Sequence, residues 1–203
     1  KYHYSMASNL HKIPVVDLFA GPGGLGEGFA SLIKEDGSYA FKSVVSIEHD
    51  DSAHKTLHLR HFLRAFPDGK FPDEYYKYLS GEITKETLYK KFPTQKLHAD
   101  HSALRISLSD ENAANVHKII SKRINGAKLW ALVGGPPCQA YSLVGRSRMK
   151  NDPKFLNDKR HFLYKEYLSI IAQHSPPIFV MENVKGLLSS KVGNNLVIDL
   201  IIS

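Results

Sequence analysis

IPVVDLFAGPGGLG, residues 13–26, decides how the rest of the chain is read. Val15 and Val16 are β-branched, the run is apolar and glycines end it, so it predicts a buried strand running into a tight turn. Leu25, Phe29, Leu32 and Ile33 then fall on one face of a helix, which Asp36-Gly37 is expected to stop. A strand, a glycine turn and a helix in that order open a βαβ unit.

Further along, FKSVVSIEHD (41–50), LWALVGGPP (129–137) and PPIFVMENV (176–184) repeat the form of an apolar core with a polar tip. Between the last two, Leu163, Tyr167, Ile170, Ile171 and His174 recur at helical spacing until Ser175-Pro176-Pro177 stops them. This alternation predicts an α/β fold: a Rossmann-like, open, mostly parallel sheet with helices on both faces. Ligands in such sheets bind beyond the carboxyl ends of the strands. That rule gathers Asp17 to Gly24, Glu48, Pro136 to Gln139 and Glu182-Asn183 onto one rim. Residues 61–96 are aromatic, basic and partly helical, and are read as an insertion without an assigned role.

At 203 residues, with 42% hydrophobic and 23% charged, the chain suits one globular domain over 13–203, with 1–12 an N-terminal arm or a remnant of something longer. No apolar run is long enough for a membrane span, and the single cysteine forms no internal disulfide. An intracellular home is expected: cytoplasm if bacterial, nucleus if eukaryotic. The formal charge of +7 suits a polyanionic partner without requiring one. LVIDLIIS, at 196–203, stops inside an apolar run, so the chain is expected to break off within an element.

GPGGLG, 21–26, satisfies G-x-G-x-x-G between strand and helix, with Glu48 at the distance of a ribose-binding acid. Pro22 removes a backbone N–H that a pyrophosphate needs, and Asp17 sets a carboxylate where phosphate would lie. An adenosine-bearing cation such as S-adenosylmethionine tolerates both. The alternative is that the glycines only tighten the turn. Cys138, the only cysteine, follows Pro136 and Pro137, whose fixed φ angles give a stiff loop fit to present a nucleophile, although most free cysteines are buried filler. Glu182 ends a neighbouring strand, where desolvation would raise its pKa and let it protonate a ring nitrogen; the plain alternative is a solvated strand end.

VVDLFAGPGG, GGPPCQAYS and VMENVKG, in that order, resemble the cofactor, nucleophile and general-acid motifs of the cytosine carbon-5 DNA methyltransferases, a family of the class I methyltransferase type. DKRHFLYKEYLSII, 158–171, resembles the segment between the last two. The resemblance implies that Cys138 adds to carbon 6 of a flipped-out cytosine while Glu182 holds ring nitrogen 3 and Asn183 supports the loop. Carbon 5 then takes the methyl group of S-adenosylmethionine, leaving S-adenosylhomocysteine. It implies a cofactor site of Phe19 on adenine, the backbone of Gly21, Pro22, Gly23 and Gly24, Glu48 on ribose, and Pro137 and Leu163 as walls.

Asp100, in LHADHSAL, is the implied reader of the adenine amino group, although His101 stands where the family has a β-branched residue. Gln139, Ser142 and Arg146 fall to the substrate side, in a loop with Arg148, Lys150 and Lys154 that suits the phosphates of double-stranded DNA. The family's Gln-x-Arg-x-Arg motif, target-recognition region and closing motif have no match, so a complementary chain carrying them is an expected partner.

Other readings compete. His54, His58 and His61 at helical spacing beside Glu48, Asp50 and Asp51 suggest a metal enzyme. The glycine loop alone suggests an NAD-linked oxidoreductase. A tRNA-methylating branch shares the same chemistry, and a non-catalytic nucleic-acid-binding relative would keep the fold.

Overall fold

A computed structural model describes residues 12–67, 70–136, 163–183, 191–192, 195–196 and 198–199. Strands β1 (Ile13–Leu18), β2 (Phe41–Glu48), β3 (Ala103–Arg105), β4 (Ala131–Gly134) and β5 (Ile178–Met181) form one sheet in the order β3-β2-β1-β4-β5, with every pairing parallel. Helix α1 (Gly24–Ala30) joins β1 to β2. Helices α2 (Asp51–Arg64), α3 (Asp73–Leu79), α4 (Lys85–Lys91) and α5 (Pro93–Ser102) lie between β2 and β3. Helix α6 (Asp110–Ile124) precedes β4, α7 (Leu163–His174) precedes β5, and a short antiparallel pair, β6 (Lys191–Val192) and β7 (Asn195–Leu196), follows. The expected Rossmann-like α/β architecture is present.

Strand alternation divides the core. Val16, Leu18, Val45, Ile47 and Leu132 turn to the face covered by α6 and α7, meeting Val116, Ile120, Tyr167 and Ile170. Val15, Ala131 and Val133 turn to the other face, against Leu25 and Phe29 of α1. Each fully buried Leu or Ile contributes roughly 2 kcal/mol, against a few tenths for an exposed pair such as Lys55–Asp51. Apolar layering, not surface charge, holds the sheet.

Helix α1 is shorter than its sequence pattern. It ends at Ala30, and Leu32 and Ile33 are 53% and 57% exposed. Ile33 instead bridges Tyr39 antiparallel, and Lys34 N–H donates to the Ser38 carbonyl around a turn in which Gly37 has φ 78°. The Asp36-Gly37 signal therefore makes a hairpin-like turn rather than a helix stop.

Within 61–96, residues 61–64 complete α2 and 93–96 open α5. Their aromatic content packs on Phe62, Leu88 and Ala99, gathering Phe66, Tyr75, Tyr89 and Phe92 into a cluster distinct from the sheet core.

Close approach of β1, β4 and α7 depends on Gly134. A Cβ there would lie 2.5 Å from the Leu18 carbonyl oxygen and 3.0 Å from the buried Tyr167 ring. Gly134→Ala is expected to cost about 1–3 kcal/mol in urea unfolding, because backbone cannot yield. Gly28→Ala, in α1 with nothing within 4 Å of its Cβ position, is expected to stabilise by about 0.5–1 kcal/mol.

Candidate active site

One register row sets the site. Leu104, Ile47, Leu18, Gly134 and Met181 pair in a line across the five strands. The next residues out, Arg105, Glu48, Phe19, Gly135 and Glu182, therefore stand abreast at the carboxyl rim. Strand order reverses between β1 and β4, so the crevice that accepts ligands in such sheets opens between the Phe19 and Gly135 loops. Glu48 and Glu182 lie three strand spacings apart, roughly 14 Å.

On the β1 side, Phe19 adopts φ 54°, a left-handed backbone that costs a bulky residue on the order of 1–2 kcal/mol, while its ring leans on the main core. Gly21 and Gly23 follow at φ 55° and 92°. A Cβ on Gly23 would lie 2.8 Å from Leu57 Cδ1, so the loop sits directly on α2. The loop's donors are already used: Gly21 N–H donates to Glu48 Oε2 at 2.8 Å, Gly23 N–H donates to the Ala20 carbonyl, and Pro22 has none. Gly21 to Gly23 thus offer a pyrophosphate no free N–H.

Glu48 is buried, and its other oxygen accepts from the N–H groups of His49 and Asp50 at 2.8 and 2.7 Å. Three backbone donors fix this carboxylate at the rim. Asp17, one row deeper, is 1% exposed, and neither oxygen has a hydrogen-bond partner. The Gly26 N–H lies near enough to favour the charged form without hydrogen-bond geometry, and a Cβ on Gly26 would lie 2.5 Å from Asp17 Oδ2. Burial, reinforced by the Glu48 charge, raises Asp17 to about 7. Spent donors at Gly21 and Gly23 beside the fixed Glu48 carboxylate oppose a pyrophosphate at that turn and suit an adenosine-bearing ligand without one.

On the β4 and β5 side, Glu182 N–H donates to the Gly134 carbonyl at 2.9 Å, and a Cβ on Gly135 would lie 3.4 Å from Glu182 Oε2. The chain leading from Gly135 toward Cys138 therefore starts against Glu182. Glu182 is exposed among the described residues, so the desolvation expected from the sequence is not supplied by them. Tyr167 ties the two strands by donating toward the Leu132 and Val180 carbonyls at 3.3 and 3.0 Å. Leu163 opens α7 at the rim end of that helix, and Asn183 follows Glu182. Pro137, Cys138, Gln139, Ser142 and Arg146, with Arg148, Lys150 and Lys154, lie outside the described residues, as does most of the 1–12 arm.

Asp100 is not in the row. It lies on α5 ahead of β3, accepting from His58 Nε2 at 2.9 Å and from Lys96 at 2.7 Å. Partial burial pulls its pKa up, but those two partners hold it below the usual carboxylate value. The residues that do follow β3 are Ile106 to Ser109, with Ile106 N–H donating to the Glu48 carbonyl. Arg105, paired with Asp51 at 2.9 Å, also reaches the rim. Neither Arg105 nor Ile106 was picked out in the sequence, since ALR carries no strand signal stronger than one leucine.

The histidine stripe is spent on structure. His54 meets the Ala103 carbonyl, and His58 bridges Tyr89 and Asp100. Burial lowers His61 to about 3, leaving it neutral. Because Ser102 Oγ donates to the His98 carbonyl, it accepts from His61 Nδ1–H, and His61 Nε2 accepts from Ser46. Among the described residues no three metal-ligating side chains converge.

Similarity to known proteins follows the same lines. The profile of a family described as C-5 cytosine-specific DNA methylase matches residues 85–200, beyond the glycine loop. The chain is 34% identical over 196 residues to the type II methyltransferase M.Bpa9945I of Bacillus paralicheniformis, covering 88% of this chain and 42% of that protein. It is 28% identical over 182 residues to M.AquIA of Picosynechococcus, covering 90% and 52%. It is 29% identical over 177 residues to M.DdeI of Desulfomicrobium norvegicum, covering 87% and 29%. The chain spans about half or less of the length of these relatives.

Asp17 carries a pH signature. Its pKa is raised on folding, so its stabilisation is complete below the unfolded value of 3.8 and is lost as pH rises through about 7. Between pH 5 and 8 the wild type is expected to lose about 3 kcal/mol relative to Asp17→Asn. Urea midpoints of both proteins at the two pH values measure that difference.

Proposed function

The chain belongs to the C-5 cytosine-specific DNA methylase family, and on that premise we propose that it carries the cofactor-binding and chemical half of methyl transfer to carbon 5 of cytosine in double-stranded DNA. The observation that carries this reading is the register row, which sets Glu48 and Phe19 on one side of the crevice and the Gly135–Glu182 contact on the other. Relatives named type II methyltransferases support a role in DNA modification, in the cytoplasm of a bacterial cell.

Phe19 would pack on an adenine ring and Glu48 would hold ribose hydroxyls, with the backbone of Gly21 to Gly24 beneath and Pro137 and Leu163 as walls. S-adenosylmethionine, bound there, supplies an electrophilic methyl group on a sulfonium and leaves as S-adenosylhomocysteine. The spent donors of Gly21 and Gly23 favour a ligand without phosphates at that turn, and the Glu48 carboxylate at the rim favours one that offers it hydroxyl donors.

On the substrate side, the Cys138 thiolate would form a bond to carbon 6 of the flipped-out cytosine as Glu182 delivers a proton or hydrogen bond to nitrogen 3. That addition puts the electron pair of the 5,6 double bond on carbon 5, which attacks the methyl group. Loss of the carbon 5 proton then expels the cysteine and restores the ring. Asn183 would brace Glu182, Gln139 and Ser142 would line the base pocket, and Arg146 would neutralise a phosphate. Because the chain spans half or less of its relatives' length, target reading is assigned to sequence, or to a complementary chain, beyond these residues.

Calorimetry on the 203-residue chain is expected to show S-adenosylhomocysteine binding at one site, weakened about tenfold or more by Glu48→Ala. Selective binding of NAD would overturn the assignment. The complete enzyme is expected to form a denaturation-resistant adduct with duplex DNA containing 5-fluorocytosine, absent in Cys138→Ser. An undiminished adduct in that variant would place the nucleophile elsewhere, and an adduct only with tRNA would move the substrate class.

A further inference from the structure

At the opposite, amino edge of the sheet lies a cavity of about 830 Å³, within the size range of small-molecule sites. Its floor is the start of β1 and β2, and its walls are the ends of α1 and α2 with residues from the aromatic cluster between β2 and β3. Tyr39, Phe41, Phe66, Phe71 and Tyr75 line it. Four cations also line it, Lys12, Lys42, Arg60 and Arg64, against one acid, Glu27.

Glu27 is already taken by Arg64, which grips it through Nε at 2.9 Å and through Nη2, and also donates to the Ala30 carbonyl. Lys12 lies 5.1 Å from the centre of the Tyr39 ring. Lys42 and Arg60 have no carboxylate partner among the described residues. The two histidines on the wall, His61 and His98, are held below their usual pKa by burial first, with Arg64 adding to the effect at His61 and Lys42 at His98, so the site's positive charge comes from the lysines and arginines.

Positive charge on Lys42 and Arg60 without a carboxylate partner among the described residues, beside aromatic side chains, is a binding environment. We infer that this chain has a second binding site, at the amino edge of the sheet, for a planar aromatic anion such as a nucleoside monophosphate or an aryl carboxylate. The anionic group would meet Lys42 and Arg60, and the ring would lie among Tyr39, Phe41 and Phe66. The site borders the cofactor loop from below: a water-sized void reaching Asp17, Gly23 and Gly26 shares Arg60, Arg64, Glu27 and Ser43 with the cavity. It does not depend on the proposed methyl transfer.

Calorimetric titration of the chain, with excess S-adenosylhomocysteine present, tests it with uridine 5′-monophosphate, 2-naphthoate, inorganic phosphate and uridine as probes. At least one aromatic anion is expected to bind at one site with Kd below about 1 mM, with phosphate and uridine each weaker by about tenfold. Binding of the nucleotide alone or the naphthoate alone identifies which kind of ring the site takes. The Lys42→Glu, Arg60→Glu pair is expected to remove that binding, whereas Lys122→Glu on α6 leaves it intact. Circular dichroism identifies a variant that has not folded, in which case Lys42→Gln with Arg60→Gln replaces it. No saturable binding by either aromatic anion, or binding that survives loss of both cations in a folded variant, overturns the inference.

Discussion

Parallel register is the constraint on which the rest depends. Four strand pairings bring Leu104, Ile47, Leu18, Gly134 and Met181 into line, and the side chains one step beyond inherit that alignment. Gly134 permits it by having no Cβ against Leu18, and Tyr167 secures it by reaching the carbonyls of two strands at once. The rim's geometry is therefore set by the sheet interior, where displacement is most expensive, rather than by the loops that carry the chemistry.

Charge is arranged along the strand direction to match. Acids collect at or under the carboxyl rim, where Asp17, Glu48 and Glu182 end or follow strands. Unpaired cations collect at the amino edge, around Lys42 and Arg60. Burial keeps Asp17 close to neutrality in the low-dielectric interior, while three backbone N–H groups hold the Glu48 carboxylate in place at the rim.

How far the sequence could be read follows from how local each signal is. β1, β2, β4, β5 and α7 were legible because Val, Ile and Leu run uninterrupted or recur at 3.6-residue spacing, and because Ser175-Pro176 marks a boundary physically. Helix α1 was overextended because Leu32 and Ile33 keep the helical phase while a downstream hairpin claims them. β3 was invisible: three residues, none β-branched, become a strand only because Ser46 to Glu48 offer an edge to pair with. Asp100 stands apart from the row because α5 ends ahead of β3, and its pairing with His58, 42 residues away in sequence, comes from packing that no window sees. Glu48 and Glu182 were legible as strand tips, while the choice between a desolvated acid and a solvated strand end at Glu182 was left open, since it depends on what other segments cover; Glu182 is exposed among the described residues.

The row also dictates where this chain can change length. A residue inserted into β1, β4 or β5 would reverse the pleat parity of everything after it, turning core side chains outward and shifting the rim by one position. Between β2 and β3, helices α2 and α5 bear on the sheet and the glycine loop, whereas α3 and α4 stand on the separate aromatic cluster. Among the described residues, α3 and α4 are therefore a stretch where grafting or trimming would leave the strand pairings intact.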